Sequence, residues 1–288
     1  MNTENRRFAA ETHPGLARSH NEDCFGAAPA NGLWLVADGV GGHSCGEVAS
    51  AIVKDSMLDA VAQGTSLVDA VLASHAAVLQ AMQVRDDARG MGSTVVAVRV
   101  AGPAFDVCWV GDSRAYLWSR GELSRLTVDH NRAGELLASG AISAEQASRH
   151  RERHVLTQSL GVSNAMRVKP GTAAGSLAPG DCLLLCSDGL TDELSDEMIA
   201  RLLQQHDSPR AQVDALVHAA LDSGGNDNIT AVVIGDPPDV RDAGDNTLET
   251  TRDRRQAAPH ARSVGARFPY KAVLLLSALT LAVVWLLL

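Results

Sequence analysis

The sequence predicts an α+β fold in which an antiparallel sheet forms the core and helices pack outside it. Four short apolar segments follow one another between residues 94 and 126 with only a few residues between them, which is hairpin spacing. Pairs of segments with apolar residues at helical spacing come before and after this block. Hairpin-connected strands with separate helices are typical of α+β domains and not of doubly wound parallel sheets.

The individual elements follow from periodicity and from the residues that bound each segment. Strands are predicted where short runs rich in Val, Leu, Ile or Cys end at Gly, Asp or Pro: 33–37, 94–100, 105–110, 115–118, 122–126, 182–186 and 229–234. Helices are predicted where apolar residues recur about every 3.6 positions: 47–61, 67–82, 192–206 and 209–222. A polar, helical segment with a break at Gly140 is predicted between residues 131 and 154.

Composition excludes several classes of protein. With 288 residues, 45% of them hydrophobic, the chain has enough apolar material for the core of one large or two small domains. A net charge of −9 argues against a nucleic-acid-binding protein. The five cysteines are scattered and form no CxxC pair, so we expect free thiols in a reducing compartment.

The chain changes character near residue 240. Residues 241–288 contribute +3 to the total of −9, which leaves −12 for residues 1–240. The polar stretch 241–271 shows no period and predicts a flexible basic linker after a domain formed by residues 1–240.

Residues 272–288 are predicted to form a transmembrane helix. The segment AVLLLSALTLAVVWLLL contains no charge, Gly or Pro, and as a helix it is about 25 Å long, at the short end for crossing a bilayer. A core helix docked on the domain is the alternative, but such a helix would show a polar face. The basic residues Arg262, Arg267 and Lys271 precede the segment, so we expect residues 1–271 in the cytoplasm, anchored to the (inner) membrane by this helix. No apolar segment follows the N-terminus, and we expect no signal peptide.

Acidic residues stand beside Gly or Asn at the edges of several predicted strands. These groups are Asn21-Glu22-Asp23, Asp38-Gly39, Gly111-Asp112-Ser113, Asp188-Gly189 and Asp227-Asn228. One Asp-Gly pair is most often a simple turn. Buried strands deliver their ends to one rim of a sheet, however, and carboxylates that converge there repel one another unless cations neutralise them. Oxygen ligands suit Mg²⁺ or Mn²⁺, and two such ions about 3.5–4 Å apart can activate water and clamp a phosphate.

Seven motifs occur in a fixed order along residues 6–235: 15–23 (GLARSHNED), 36–50 (VADGVGGH with GEVAS), 90–94 (GMGST), 110–116 (VGDSRAY), 126–130 (LTVDH), 187–192 (SDGLTD) and 224–230 (GGNDNIT). In this order they resemble the bacterial branch of the metal-dependent protein phosphatases, the PPM or protein phosphatase 2C family. The resemblance implies a central antiparallel β-sandwich flanked by α-helices (α-β-β-α). It also implies hydrolysis of phosphoserine and phosphothreonine by direct attack of a metal-bridging water, reversing a Ser/Thr kinase in bacterial signalling.

The resemblance also implies a set of metal ligands for two Mn²⁺ or Mg²⁺ ions. Asp38 would bridge the two ions, and Asp188 and Asp227 would hold the first. Glu22 and the backbone carbonyl of Gly39 would hold the second, largely through waters.

Further roles are implied for five other residues. Asp23 would support this second ion or share the role of its glutamate neighbour, and Asp112 would help to bind a third, weaker ion. Arg18 would clamp the substrate phosphate with its planar guanidinium. His43 would protonate the leaving oxygen, or would instead hydrogen-bond its own loop. Asn228 would orient the aspartate before it.

Residues 131–160 correspond in such phosphatases to a mobile flap beside the active site, where we expect the substrate to be read. The histidines outside the motifs, His154 among them, are expected on the surface or in packing, and His130 is expected to fix a loop. Phosphoproteins are the expected substrates, with a Ser/Thr kinase and its targets as partners, because a shared membrane raises effective concentration. The alternatives are a pseudo-phosphatase that binds phosphoproteins, which should have lost metal carboxylates, and a phosphatase for one dedicated regulatory protein.

Overall fold

The structure, a computed structural model, describes residues 6–41, 45–84, 90–161 and 167–235. His43, the linker 241–271 and the tail 272–288 lie outside the described residues, so the assignments made for them remain predictions. Within the described ranges the strands are β1 (Phe8–His13), β2 (Asp23–Ala28), β3 (Leu33–Val40), β4 (Gly92–Ser93), β5 (Val95–Ala101), β6 (Ala104–Val110), β7 (Arg114–Ser119), β8 (Glu122–Arg125), β9 (Gly171–Ser176), β10 (Cys182–Cys186) and β11 (Ile229–Ile234). The α-helices are α1 (Cys45–Ala62), α2 (Leu67–Val84), α3 (Arg132–Ala138), α4 (Ala144–Ser148), α5 (Asp188–Thr191), α6 (Asp196–Gln205) and α7 (Pro209–Ser223).

The strands form two antiparallel sheets that pack face to face. One sheet has the strand order β1-β11-β10-β7-β8, and the other has the order β2-β3-β5-β6-β9, with the short β4 paired to β3. The side chains between the sheets are large and apolar, and Trp34, Val96, Leu185 and Val232 are fully buried there. The antiparallel core expected from the hairpin spacing is therefore confirmed.

Each sheet is covered on its outer face by a pair of helices. The helices α1 and α2 pack on the second sheet, where Val53 and Met57 lie against Leu35 in one buried cluster. The helices α6 and α7 pack on the first sheet, where Leu203 and Leu216 belong to another. This is the expected α-β-β-α arrangement, with three apolar layers between four layers of secondary structure.

Among the described residues, α2 is the helix whose length and mean hydropathy of 1.4 would be compatible with crossing a membrane. It contributes Ala70, Val71 and Val78 to the core beneath α1, as core helices of globular domains also do.

Four strands and one helix boundary differ from the sequence-based expectation. The strands β1, β2, β4 and β9 were not predicted, because they are short and rich in Ala, Gly or polar residues. The helix expected over 192–206 is divided: Asp192 closes the short α5, and α6 begins after Ser195, whose hydroxyl accepts a hydrogen bond from the Met198 N–H at 3.3 Å. Ser195 is thus a side-chain N-cap, which defines a new helix start.

Candidate metal centre

The acidic motifs meet at one end of the sandwich, where β2 and β11 begin and where β3, β6 and β10 end. Asp23 lies directly across from Asp38 in the register of β2 and β3. Burial raises the pKa of Asp38 well above its ordinary value, and repulsion from Asp23, Asp188, Asp112 and Asp227 raises it further. The strands therefore bring together five aspartates that are far apart in sequence.

Asp38 is held through its backbone. Its N–H donates to Thr94 Oγ1 at 3.1 Å, and its carbonyl accepts from the Thr94 N–H at 2.8 Å and from Ser93 Oγ at 3.0 Å. The Thr94 hydroxyl also lies 2.7 Å from Ser113 Oγ, next to Asp112. Because backbone bonds fix this position, the Asp38 carboxylate is left for other contacts.

Asp23 is a buried carboxyl with one unsatisfied oxygen. Its Oδ2 accepts from Ser187 Oγ at 2.6 Å and from Thr230 Oγ1 at 2.8 Å. Its Oδ1 is buried without a hydrogen-bond partner within the described residues. Burial raises the pKa of Asp23 to about 7 against the lowering effect of the two hydroxyls. An orphaned acceptor in an anionic site is a place where a cation, or a water bound to one, fits.

Glu22 and Gly39 meet at the start of α1. A methyl group on Gly46 would lie 2.5 Å from Glu22 Oε1 and 2.8 Å from the carbonyl oxygen of Gly39. Glycine at position 46 therefore leaves room for these two oxygens side by side. The backbone carbonyl of Glu22 is fixed by Ser50 Oγ at 2.6 Å and by the Gly39 N–H at 3.1 Å.

Asp112 follows β6 and is almost fully buried. Burial raises its pKa to about 8, with further repulsion from Asp188 and Asp129. Asp129 is itself neutralised, because Arg114 Nη2 lies 2.8 Å from its Oδ2 and Arg125 pairs with its Oδ1. Both arginines are therefore paired with Asp129, and Asp112 has no paired cation among the described side chains.

Asp227 is paired with an arginine. Arg18 Nη2 donates to its Oδ2 at 2.7 Å, and the arginine is about half exposed. The loop that carries Arg18 approaches closely at Gly15, whose φ is +77° and where a Cβ would lie 2.1 Å from the Asp227 carbonyl oxygen. A side chain at position 15 would push this loop away.

Asn228 connects this loop to β11. Its backbone N–H donates to Asp227 Oδ1 at 2.8 Å, while its side chain binds elsewhere. The Nδ2 group donates to the carbonyls of Pro14 and His20, each at 2.9 Å, and Oδ1 accepts from the Glu22 N–H at 2.8 Å. Its side chain therefore positions the backbone of Glu22 as well as the loop before it.

His154 and Asp192 lie at the rim of the site, although the sequence reasoning assigned neither of them a role there. His154 was expected on the surface or in packing. Its side chain is 48% exposed, and its Nδ1 lies 3.9 Å from Asp188 Oδ2 and 3.4 Å from Asp192 Oδ2. These carboxylates raise the pKa of His154. The spacing of Asp188 and Asp192, one helical turn apart, was the available signal. His130, expected to fix a loop, does so, because its backbone N–H donates to the Gly111 carbonyl at 2.9 Å.

The donor set fits divalent ions that prefer oxygen. It contains carboxylates and a backbone carbonyl but no thiolate, and Mg²⁺ and Mn²⁺ are the ions that such ligands favour. Burial first, and then repulsion among the aspartates, raise the pKa values of Asp38 and Asp112, and a bound cation would relieve that repulsion. The end of the two-sheet sandwich is therefore a candidate centre for divalent metal ions.

Comparison with known proteins specifies the family. Residues 17–223 match the family model of Protein phosphatase 2C, and the chain belongs to this family. It is 37% identical over 233 residues to the serine/threonine protein phosphatase PstP of Mycobacterium tuberculosis, covering 79% of this chain and 44% of PstP. It is 34% identical over 236 residues to the serine/threonine phosphatase stp of Listeria welshimeri, covering 77% of this chain and 93% of that protein.

A solved structure matches the fold. The crystal structure of the PstP catalytic domain in complex with two manganese ions superposes with a TM-score of 0.71 at 34% identity, covering 80% of this chain and 98% of that one. The chain spans less than half the length of PstP and nearly all of the Listeria protein.

Proposed function

We propose that this chain hydrolyses phosphoserine and phosphothreonine in proteins with the help of divalent metal ions. The observation that carries the proposal is the cluster of carboxylates around Asp38, where burial and repulsion from Asp23, Asp188, Asp112 and Asp227 raise the pKa of Asp38. Membership in the protein phosphatase 2C family and the names of the relatives support the same reaction.

The residues fit two ions. Asp38 would contact both, Asp188 and Asp227 the first, and Glu22 with the Gly39 carbonyl the second. When bound, the ions supply Lewis-acid activation of water and offset the charge of the phosphoryl group. Mn²⁺ and Mg²⁺ both suit this donor set.

Two of the buried aspartates would act around the two ions. Asp23, with its unpartnered oxygen, would support the second ion from behind Asp38. A third, weaker ion would bind at Asp112, which is likewise left without a paired cation among the described side chains.

Arg18 would bind the substrate phosphate. Its bond to Asp227 uses Nη2, and a guanidinium has further donors on Nη1 and Nε that reach two phosphate oxygens. Asp227 would then hold the arginine in place while the arginine orients the phosphate. His43 would donate a proton to the leaving seryl or threonyl oxygen, a role that rests on its place in the motif 36–50.

The test is turnover by the purified chain. We expect hydrolysis of p-nitrophenyl phosphate and of a phosphothreonine peptide that rises with added Mn²⁺ or Mg²⁺ and is lost in EDTA. Asp38→Ala should abolish it, and Asp106→Ala, which removes an exposed carboxylate from the opposite part of β6, should not. An active Asp38→Ala protein would refute the two-ion assignment. A folded wild-type chain without turnover in any metal would favour a phosphoprotein-binding or single-substrate protein.

We further propose that residues 272–288 cross the membrane once, with residues 1–240 in the cytoplasm and 241–271 as the linker. The uncharged sequence of the tail and the basic residues before it support this topology. Deleting 272–288 should move the protein from the membrane to the soluble fraction and leave hydrolysis of p-nitrophenyl phosphate intact. Loss of that activity would indicate a core helix.

Anchoring would favour membrane-bound partners, and we propose a Ser/Thr kinase and its targets as the physiological phosphoproteins. Deletion of the gene should raise the phosphorylation of membrane-bound Ser/Thr kinases. Unchanged phosphorylation would contradict this pairing.

A further inference from the structure

A short basic run lies at the rim of the metal centre. Residues 149–154 read RHRERH, with three arginines, two histidines and one glutamate, in a chain whose residues 1–240 carry a net charge of −12. We call these six residues the basic run. Positive charge concentrated in one short segment of an acidic domain is a feature that selects ligands by their charge.

Backbone hydrogen bonds directly after residue 154 attach the C-terminal end of the basic run to the rest of the domain. The Arg132 N–H donates to the Val155 carbonyl at 3.0 Å, and the Thr157 N–H donates to the His130 carbonyl at 2.8 Å. Because His130 is bonded in turn to Gly111, next to Asp112, the run emerges from the edge of the centre.

The last two residues of the run contact the centre itself. Arg153 Nε lies 3.6 Å from Asp192 Oδ1, and His154 Nδ1 lies 3.9 Å from Asp188 Oδ2. These contacts place the end of the run beside Asp188, one of the residues that would hold the first ion.

The first two arginines of the run face solvent. The side chains of Arg149 and Arg151 are 80% and 89% exposed, and their nearest acidic partners, Glu145 and Glu152, lie 3.6 and 3.8 Å away. Exposed pairs at such distances contribute little and are easily exchanged. The guanidinium groups therefore remain able to bind carboxylates or phosphates of another molecule.

We propose that Arg149 and Arg151 recognise acidic groups that flank the phosphorylated residue of the substrate, so that the protein prefers acidic phosphopeptides. This inference rests on the proposed function. Arg151 is three residues from His154, so their Cα atoms lie within about 11 Å of each other. An extended peptide advances about 3.3 Å per residue, which brings acidic side chains a few positions from the phosphorylated residue within reach of the two arginines.

The test compares kcat/KM for phosphothreonine peptides that differ in their flanks. One peptide has neutral flanks, one has glutamates, and one has a second phosphorylated residue, which separates carboxylate from phosphate recognition. We expect the wild-type chain to favour the anionic peptides, mainly through KM. In Arg149→Gln/Arg151→Gln the preference should fall about three- to tenfold, as expected for two exposed ion pairs.

A matched control removes two arginines elsewhere. Arg7 precedes β1 and Arg120 follows β7, each at the opposite end of its strand from the centre, and both are exposed. Arg7→Gln/Arg120→Gln makes the same change in net charge and should keep both the basal activity and the peptide preference. Arg149→Glu/Arg151→Glu should invert the preference toward peptides with lysine flanks.

Hydrolysis of p-nitrophenyl phosphate is measured alongside, because it does not depend on flanking residues. Wild-type activity on this compound without a preference for anionic peptides would overturn the inference alone. A preference that survives Arg149→Gln/Arg151→Gln, or one lost equally in the control, would also overturn it. Absence of activity on p-nitrophenyl phosphate in every metal would overturn the proposed function and this inference with it.

Discussion

Asp23→Asn should stabilise the metal-free protein at neutral and alkaline pH. Burial and the neighbouring charges of Asp188 and Asp227 raise the pKa of Asp23 to about 7 in the folded state, against the two hydroxyl groups that bind it. Because the folded state holds this proton more tightly than the unfolded chain does, the free energy of unfolding falls as the pH rises from about 4 to about 7.

The size of the effect follows from linkage. Each pH unit in this window corresponds to about 1.4 kcal/mol, so the interval from about pH 5 to about 7 removes about 3 kcal/mol. For a domain of this size that is about 6–12 °C in Tm. Asparagine has no proton to lose, and its carbonyl can accept the same bonds from Ser187 and Thr230. The decline in Tm should therefore be smaller by about 6–12 °C in the variant.

The assay is thermal unfolding in EDTA at about pH 5 and about pH 8, followed by the same scans in Mn²⁺. Asp112, with a pKa of about 8, contributes to the decline in both proteins. The difference between them reports the loss of the Asp23 charge together with the relief of its repulsion on Asp38. With Mn²⁺ the wild type should gain more stability than the variant, because the ions offset a charge that the variant lacks.

Asp181→Asn is the matched control for this substitution. Asp181 is a buried carboxyl in the turn before β10, where its Oδ2 accepts from the Ala178 N–H at 2.8 Å. This variant should keep the wild-type decline. An Asp23→Asn protein that loses stability with pH as steeply as the wild type would refute the reasoning.

Two further substitutions test the centre and its scaffold. Gly46→Ala should weaken Mn²⁺ binding at least about tenfold in a metal titration, because its methyl group displaces Glu22 and the backbone carbonyl of Gly39. The clash with that backbone oxygen should also lower the metal-free Tm, and unchanged affinity would argue against a ligand at this position. Tyr116→Phe should lower Tm by about 2–6 °C, because the buried hydroxyl donates to Asp196 Oδ1 at 3.0 Å and accepts from Arg114 at 3.3 Å; an unchanged Tm would contradict this contribution.

The sequence predicts those helices and strands whose own residues show hydrophobic periodicity or a compact apolar run. Helices α1 and α2 and strands β10 and β11 have clear periodicity or compact apolar runs, and the structure has them within a few residues of the expected bounds. Strand β9 has no such pattern, since GTAAGS is poor in strand-forming residues. It forms against β6, where a Cβ at Gly171 would lie 2.4 Å from the ring of Trp109. That fit depends on a distant strand and cannot be predicted from the local sequence.

The same division applies to the site. The acidic motifs can be recognised because acidic residues beside Gly or Asn follow or precede apolar strands. The pairing of Asp23 with Asp38, and the hydroxyl groups of Ser187 and Thr230 that bind Asp23, depend on strand register. His154 comes from a polar segment with no period, so nothing in its own segment predicted its contact with Asp188 and Asp192.

The charges of the anionic centre and of the basic run both affect the binding of a negatively charged substrate. A phosphorylated substrate is repelled by clustered carboxylates such as Asp38 and Asp112, and divalent ions reverse the charge only where they bind. The arginines of the run are part of the chain and act beyond that point. Replacing Mn²⁺ by Mg²⁺ should therefore change turnover but leave the preference for acidic peptides unaltered. High salt should reduce the preference for acidic peptides and leave turnover nearly unaltered. Exposed charges such as Arg149 and Arg151 are screened far more than buried ones.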